Sequence, residues 1–407
     1  MLAHPAEPGG ANPILQMSYC SRKGASAVYT VLCSVSAFST QPCLYFPLIN
    51  SSSHLRHTGA LVESEASLAS FDTLLKTFPS LTAVTFDQAY HLSEAFVAMC
   101  FTYPRIRSVT LDALTNIIPV EAHSTDESSP ITVTLTSFSL IRPFWREQLG
   151  NDTVRSVATL RNVLDENLSR ETAFLANVIP RINEGIRQLS LPMETAPVVS
   201  MAGMSWPQLQ ELSLHGRYRN TSQADSLPIL LSSVPALRQL SVQICRMENI
   251  NRAPILGRHE CPSTVLTGLR SLTVAYPDPD DDIFAIDTTA LCHFSLRDCP
   301  RYYHRLGYGS QWGQWTAPIL SPAECLSILK RMDLRRLSSL ELVYLAPKAG
   351  SDDELLQYVA ETFPGLSHLE IHRYRANRRE VVDYVSPFSY RSAFMLIKLC
   401  RLTSWAS

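Results

Sequence analysis

Regularly spaced cysteines are missing from this sequence. Ten cysteines occur in 407 residues without a C-x-x-C pair, which excludes the usual zinc-site spacing and a sequence-readable disulfide framework. We interpret them as reduced, mostly buried thiols. An excess of charge of one sign is missing too, since 35 Lys and Arg oppose 37 Asp and Glu, so nucleic acid is not indicated as a partner. The composition, 45% hydrophobic and 18% charged, is that of a folded protein with an apolar core.

A membrane-spanning segment is also absent, because no run approaches about 20 apolar residues. The most apolar stretch, 25–49, is interrupted by polar residues and by Pro42 and Pro47. Its triplet 35–37 (Val-Ser-Ala) is typical of signal-peptidase sites, which leaves secretion as an alternative. Four sequons would matter only in that case: Asn50, Asn151, Asn167 and Asn220. We expect an intracellular protein, cytoplasmic or nuclear, with no membrane partner.

Catalytic and cofactor motifs are absent as well. The sequence contains no G-x-x-x-x-G-K-[ST], H-E-x-x-H or G-x-S-x-G motif, so we predict a protein that is not an enzyme and needs no cofactor. His368, Glu370 and His372 alternate along one predicted strand and could present two imidazoles and a carboxylate to a metal such as zinc. We favour solvated polar residues there and predict no metal site. The aspartates of 277–282 lack the spacing and turn glycine of a calcium loop, so we expect a solvated acidic loop.

One hexapeptide, L-x-x-L-x-L, recurs ten times and dominates the sequence. Its apolar positions in the ten copies are Leu81-Val84-Phe86, Ile106-Val109-Leu111, Leu135-Phe138-Leu140, Ile186-Leu189-Leu191, Leu209-Leu212-Leu214, Leu237-Leu240-Val242, Leu269-Leu272-Val274, Leu291-Phe294-Leu296, Leu337-Leu340-Leu342 and Leu366-Leu369-Ile371. Most copies start 22 to 32 residues apart, close to the period of leucine-rich repeats. Two longer gaps, after Leu135 and after Leu291, imply an insertion or a degenerate copy in each.

Helical stretches lie between the hexapeptides. We expect helices over the following ranges: 68–78, 92–103, 323–332 and 352–363. Because each strand is covered by its own helix and completes its core only against the next unit, the alternation predicts an α/β leucine-rich-repeat solenoid. A curved parallel sheet would form its concave face and helices its convex face. We place the repeats in 61–385, between an N-terminal segment, 1–60, and a C-terminal cap, 386–407.

The residue between the last two apolar positions of each hexapeptide faces away from the core, because side chains alternate along a strand. In the ten copies these residues are Thr85, Thr110, Ser139, Ser190, Ser213, Ser241, Thr273, Ser295, Glu341 and Glu370. Eight carry a small hydroxyl, which suits either the crowded centre of a curved sheet or a polar groove for a peptide. We predict a polar concave face that holds a protein target, with Glu341, His368, Glu370 and His372 among the contacts.

Two segments carry a family resemblance. Phe71–Phe86 (FDTLLKTFPSLTAVTF) and Phe363–Ile371 (FPGLSHLEI) resemble the repeats of fungal F-box and leucine-rich-repeat proteins. The resemblance covers residues 60–385. It implies a substrate-recognition subunit of an SCF-type cullin-RING ubiquitin ligase, in which a helical F-box docks on the adaptor and the repeats hold the target. A plain leucine-rich-repeat scaffold without a ligase link stays open, as does a secreted recognition protein.

The F-box itself is incomplete. Nothing in residues 1–27 is similar to its first helix, whereas 32–49 is similar to its second half. The resemblance implies adaptor contacts by Leu32, Val35, Phe38 and Phe46. The alternative for 1–60 is an apolar cap over the end of the repeat array.

The gap between the copies at Leu291 and Leu337 is rich in aromatic residues. Residues 301–315 include three Tyr, two Trp and two Arg, the types enriched at interface hot spots, and an insertion in a solenoid emerges as a loop. We predict a partner-binding loop near 300–320, formed by Tyr302, Tyr303, Arg305, Tyr308, Trp312 and Trp315. The alternative is that these side chains fold back onto the array. The chain after His372 is locally basic, and we expect a cap with a solvated basic rim there.

Overall fold

The computed structural model describes residues 30–34, 53–58, 65–87, 92–112, 117–118, 134–142, 157–245, 252, 254–257, 266–299, 318–346 and 350–375. Strands and helices alternate along them, so the chain is a mixed α/β protein built on parallel strands, as the apolar spacing predicts. It divides into two compact units, Met1–Leu135 and Thr136–Ser407. Among the described helices, none combines the length and apolar character needed to cross a membrane.

The first unit contains a parallel sheet and two helices. Its described elements are β1 (Thr30–Ser34), β2 (His54–Thr58), α1 (Glu65–Thr77), β3 (Ala83–Asp87), β4 (Leu92–Ser93), α2 (Glu94–Thr102), β5 (Ser108–Leu111) and β6 (Ile117–Ile118). Strands β1, β2, β3 and β5 pair side by side in that order, and β4 pairs with β6. In the core, the rings of Phe71 and Phe96 meet edge to face with centroids 5.4 Å apart.

The second unit contains eight of the described parallel strands. Its described elements are β7 (Ser137–Leu140), α3 (Val157–Ile182), β8 (Gln188–Pro192), α4 (Val198–Ala202), β9 (Glu211–Arg217), α5 (Thr221–Ser232), β10 (Gln239–Cys245), β11 (Ser271–Ala275), a 3-10 helix (Asp282–Phe284), β12 (His293–Arg297), α6 (Pro322–Arg331), β13 (Ser339–Ala346), α7 (Asp353–Thr362) and β14 (His368–Arg375). Strands β7 to β14 pair in chain order and all in parallel. The order is linear, so the sheet does not close on itself.

The strand register confirms the hexapeptide alignment. The second apolar residues of successive copies in this unit lie directly opposite one another: Phe138, Leu189, Leu212, Leu240, Leu272, Phe294, Leu340 and Leu369. All eight are at most 2% exposed, and burying each stabilises the fold by roughly 1.5 to 3 kcal/mol. A slip of one residue would turn a strand's apolar side chains out of the core, so the pattern determines the register.

The four predicted helices are present with small shifts at their ends, as α1, α2, α6 and α7. At the start of the helix predicted over 92–103, Leu92 and Ser93 instead form the strand β4. Ser93 then caps α2 by accepting the Ala95 N–H at 3.2 Å. Helix α6 begins with a capping box, in which Ser321 and Glu324 each accept a hydrogen bond from the other's backbone N–H.

The two long gaps between hexapeptides contain helices. The first holds α3, which has 26 residues and buries Leu168, Leu175 and Ile182 along one face. The degenerate copy lies upstream instead, in β2, where Leu55 and His57 stand opposite Val84 and Phe86. Repeat-like strands therefore begin before residue 61, inside the segment that we assigned to a cap or F-box.

The acidic loop 277–282 is solvated only in part, because Asp280 is exposed as predicted but Asp281 is buried. Asp281 is 1% exposed and caps the 3-10 helix, because its carboxylate accepts the N–H groups of Leu256 at 3.1 Å, of Ile283 at 2.9 Å, and of Ile255. Burial raises the pKa of Asp281, and the three N–H donors oppose that shift. The Asp281 carboxylate therefore fixes the loop through hydrogen bonds from backbone N–H groups.

The first residue of the basic segment after His372 also differs from the prediction of a solvated rim. Arg373 is half-buried, and its Nε donates to Asp352 Oδ2 at 2.9 Å. The Tyr344 hydroxyl donates to the same oxygen at 2.8 Å. Arg373 therefore ties β14 to the start of α7 and does not belong to a solvated rim. The predicted cap at 386–407 lies outside the described residues.

Candidate partner-binding face

The side chains between the apolar positions form a polar sheet face in the second unit. From β8 to β11 each strand places one hydroxyl directly opposite the next: Ser190, Ser213, Ser241 and Thr273. The hydroxyl column predicted from the sequence is therefore confirmed for these strands, and each side chain is half-buried. Over β7 to β11 this face has a shallow hollow of about 350 Å³, which is also lined by Gln188, Glu211 and Gln239.

Three arginines directly precede residues that line the hollow, namely Gln188, Gln239 and Ser271. Arg187, Arg238 and Arg270 directly precede β8, β10 and β11, and all three are exposed. Backbone hydrogen bonds align these arginines across the strands. The Arg270 N–H donates to the Arg238 carbonyl at 2.7 Å. The Arg238 N–H donates to the Gln210 carbonyl, and the Gln210 N–H donates to the Arg187 carbonyl, each at 2.8 Å. The sequence analysis missed this row because it examined only the column between the last two apolar positions. The available signal was an arginine directly after the first apolar residue in these three copies.

Charged residues replace the hydroxyls on the last two strands of the sheet. Glu341 and Glu370 are direct partners across β13 and β14, and His372 follows Glu370 on the same face. His372 Nε2 lies 2.6 Å from Glu370 Oε1, and Ser295 Oγ donates to Glu341 Oε2 at 2.6 Å. One ligand atom from each of Glu341, Glu370 and His372 lies within 4.8 Å of the other two.

Cations and imidazoles surround these carboxylates. Arg297 Nη2 lies 3.4 Å from Glu341 Oε1, and His368 Nε2 lies 3.8 Å from Glu370 Oε2. On β12, His293 Nδ1 lies 2.9 Å from Ser339 Oγ. Burial is the main cause that lowers the pKa of His293; Glu341 opposes this shift, whereas His368 and Arg297 add to it. His293 is therefore neutral at neutral pH.

The predicted contact residues differ in accessibility. Glu341 exposes only 8% of its side chain and His372 16%, so the prediction that His368, Glu370 and His372 are solvated is wrong for His372. Glu370 exposes 34% and His368 54%, which leaves His368 as the most open member.

Other predicted site residues lie elsewhere. The aromatic set Tyr302, Tyr303, Arg305, Tyr308, Trp312 and Trp315 lies outside the described residues, as do Val35, Phe38 and Phe46. Leu32 lies in β1, a strand paired in parallel with β2, where the F-box resemblance implies a helical module.

Five cysteines in the described part of the chain form no disulfide: Cys100, Cys245, Cys292, Cys299 and Cys325. Burial raises the pKa of Cys100, Cys245 and Cys325 above that of an ordinary thiol, so they stay protonated and unreactive at neutral pH. Cys299 is half-buried and Cys292 is exposed. For the described residues, this agrees with the expectation of reduced, mostly buried thiols.

The fold and face define a parallel α/β protein with a polar sheet surface. Compared with protein-family models, the chain matches none, and a search of curated proteins finds no significant match. Inference about function therefore depends on the register of the sheet and on the side chains that its face presents.

Proposed function

We propose that this chain is a leucine-rich-repeat solenoid that binds another protein on the polar face of its sheet and catalyses no reaction. The supporting observation is the unbroken column that carries a hydroxyl or a carboxylate on every strand from β7 to β14. Stacking one strand per repeat in chain order creates the extended surface that repeat proteins use for binding. An enzyme instead gathers its reactive groups in one enclosed cleft.

The face favours an extended, acidic segment of a partner protein. Hydroxyl and amide groups in the hollow can donate to and accept from a peptide backbone. Arg187, Arg238 and Arg270 add positive charge next to residues that line the hollow, and guanidinium groups bind carboxylates with two parallel hydrogen bonds. Among the residues that line the hollow, Glu211 is the only charged one, so the arginines dominate the local charge.

Charge reversal tests this proposal. The double variant Arg238→Glu/Arg270→Glu should bind the partner about a hundredfold more weakly, or worse, because each removed arginine contact is worth roughly 1.5 to 3 kcal/mol and tenfold corresponds to about 1.4 kcal/mol. Quantitative affinity mass spectrometry measures the loss. The matched control is Arg219→Glu/Lys330→Glu, which reverses two exposed charges away from the hollow. Equal partner recovery by both double variants, with unchanged circular dichroism, would contradict the assignment.

A more specific form of the proposal is a substrate-recognition subunit of an SCF-type ubiquitin ligase. It is supported by the resemblance of Phe71–Phe86 and Phe363–Ile371 to F-box and leucine-rich-repeat proteins, and it places the chain inside the cell, where free thiols stay reduced. The strand at β1 argues against a complete F-box. Pull-down of the full-length chain beside a chain lacking residues 1–50 separates the roles. Adaptor and cullin recovered only with the full-length chain support the ligase role, and their absence with both leaves the plain scaffold.

A further inference from the structure

We propose that Glu341, Glu370 and His372 bind a divalent metal ion of the zinc class at the last two strands of the second unit. Glu341 and Glu370 belong to the polar column described above, but binding a metal ion does not require a bound partner. The inference therefore stands on its own geometry.

The strand register brings the three donors together. Glu341 and Glu370 occupy partner positions on β13 and β14, and His372 lies two residues further along the same face. Their ligand atoms all lie within 4.8 Å of one another. A tetrahedral zinc ion with ligands at about 2.0 to 2.2 Å needs donor atoms roughly 3.4 Å apart. The side chains must therefore rotate when a metal ion binds, and the 2.6 Å hydrogen bond between His372 and Glu370 must open, while the paired strands hold the backbone in place.

The donor set matches the metal class. One imidazole nitrogen with two carboxylate oxygens is a combination that zinc accepts, whereas calcium requires six to eight oxygens. Glu370 is one-third exposed, so water can reach this group of side chains. Structural zinc sites have four protein ligands, whereas three protein ligands leave a fourth position that water can occupy.

A hydrogen bond outside the donor set positions the buried carboxylate. Ser295 Oγ donates to Glu341 Oε2 at 2.6 Å, which orients the carboxylate and directs Oε1 away from that contact. Only 8% of the Glu341 side chain is exposed, and the attraction between a carboxylate and a cation is stronger in such surroundings than in water.

Arg297 is the competing cation. Its Nη2 lies 3.4 Å from Glu341 Oε1, which is too long for a strong hydrogen bond but close enough to offset part of the carboxylate charge. An incoming metal ion must displace this interaction. Replacing Arg297 by Gln should therefore tighten metal binding by about threefold to tenfold, since a positive charge near the ion is removed. If Arg297 and Glu341 formed only a structural ion pair, without a metal site beside them, Arg297→Gln would not increase the affinity for metal.

Calorimetric titration of the full-length chain with zinc chloride tests the site. The variants Glu370→Gln and His372→Gln should each bind one ion fewer, or bind it at least about tenfold more weakly. The matched control is Glu211→Gln, which removes a carboxylate from the same face on β9 and should leave zinc binding unchanged. Circular dichroism verifies that each variant is folded.

Cobalt absorption gives a second measurement that does not depend on counting ions. Cobalt bound by this site should show visible bands without the near-ultraviolet charge transfer of a thiolate ligand, because its donors are nitrogen and oxygen. Zinc binding with the same affinity and stoichiometry in Glu370→Gln and His372→Gln would overturn the proposal. So would cobalt spectra dominated by thiolate bands, or calcium binding as tight as zinc.

Discussion

His57 should make the stability of the first unit depend on pH. It occupies an apolar position of the repeat in β2, opposite Phe86, and is only 4% exposed. Its Nε2 has no hydrogen-bond partner among the described residues. Burial therefore lowers the pKa of His57 from 6.5 to about 4 in the folded chain.

The direction and size of the effect follow from this shift. The unfolded chain takes up the proton first as the pH falls, so the contribution of a neutral His57 to stability is present above 6.5 and is lost as the pH falls towards about 4. At 1.36 kcal/mol per pH unit the full effect is about 3 kcal/mol, of which about 2.5 kcal/mol is lost between about pH 7 and about pH 4.5. His57→Leu should abolish this loss. It should also add about 1 kcal/mol at neutral pH, because a buried nitrogen without a partner is removed.

Hydrogen-exchange mass spectrometry on the full-length chain can measure this locally, from the opening free energies of amides in 54–58 and 83–87. Burial also raises the pKa of Asp87, which acts in the opposite direction, but that contribution is common to the wild type and His57→Leu and cancels in their difference. The control is His368→Leu, which removes an exposed imidazole of the second unit. If the wild type and His57→Leu lose protection in parallel between the two pH values, the reasoning is refuted.

Three further substitutions have expected outcomes. Arg142→Met should cost about 3 to 5 kcal/mol in urea unfolding, because the buried Glu171 loses the Nε donor at 2.7 Å; a cost below about 1 kcal/mol would contradict the buried pair. Gly216→Ala should lower the thermal midpoint, with a cost of about 1 to 3 kcal/mol, because φ is +103° and the added Cβ would collide with the Glu194 carboxylate; an unchanged midpoint would count against that backbone. Asn220→Ala should cost about 1 kcal/mol in urea unfolding, because the Asn220 side chain caps α5 by accepting the Gln223 N–H. Asn220→Asp should cost little, and equal losses in the two variants would argue against capping.

Much of the fold could be predicted because burial alternates along strands such as β5, β7, β9 and β10. Leucine, valine and phenylalanine at the second and third apolar positions point into the core, and this alternation alone gives the pairing of the described copies. The copy in β2 was missed because His57 stands where the pattern requires an apolar residue. The burial of Asp281 was missed for another reason: its partners are backbone N–H groups, which have no signature in the sequence.

The candidate site could be predicted only in part. His368, Glu370 and His372 share a face because of their spacing on one strand, and that can be read directly. The position of Glu341 beside them depends on the pairing of β13 with β14, which α7 and its flanking turns bring about. Its burial and its bond to Ser295 depend in turn on β12. The arginine row is likewise a property of neighbouring strands.

Site-specific photocrosslinking in cells tests the central claim most directly. A photoreactive residue at Gln239, which is exposed and lines the hollow on β10, should form a covalent adduct with a partner protein. The same residue at Gln357, exposed on α7, is the matched control and should form little or none. Partner adducts from Gln239 alone are the result that this account predicts. Adducts of the same partner from Gln357 but not from Gln239 would show that the polar sheet face is not where this chain binds other proteins.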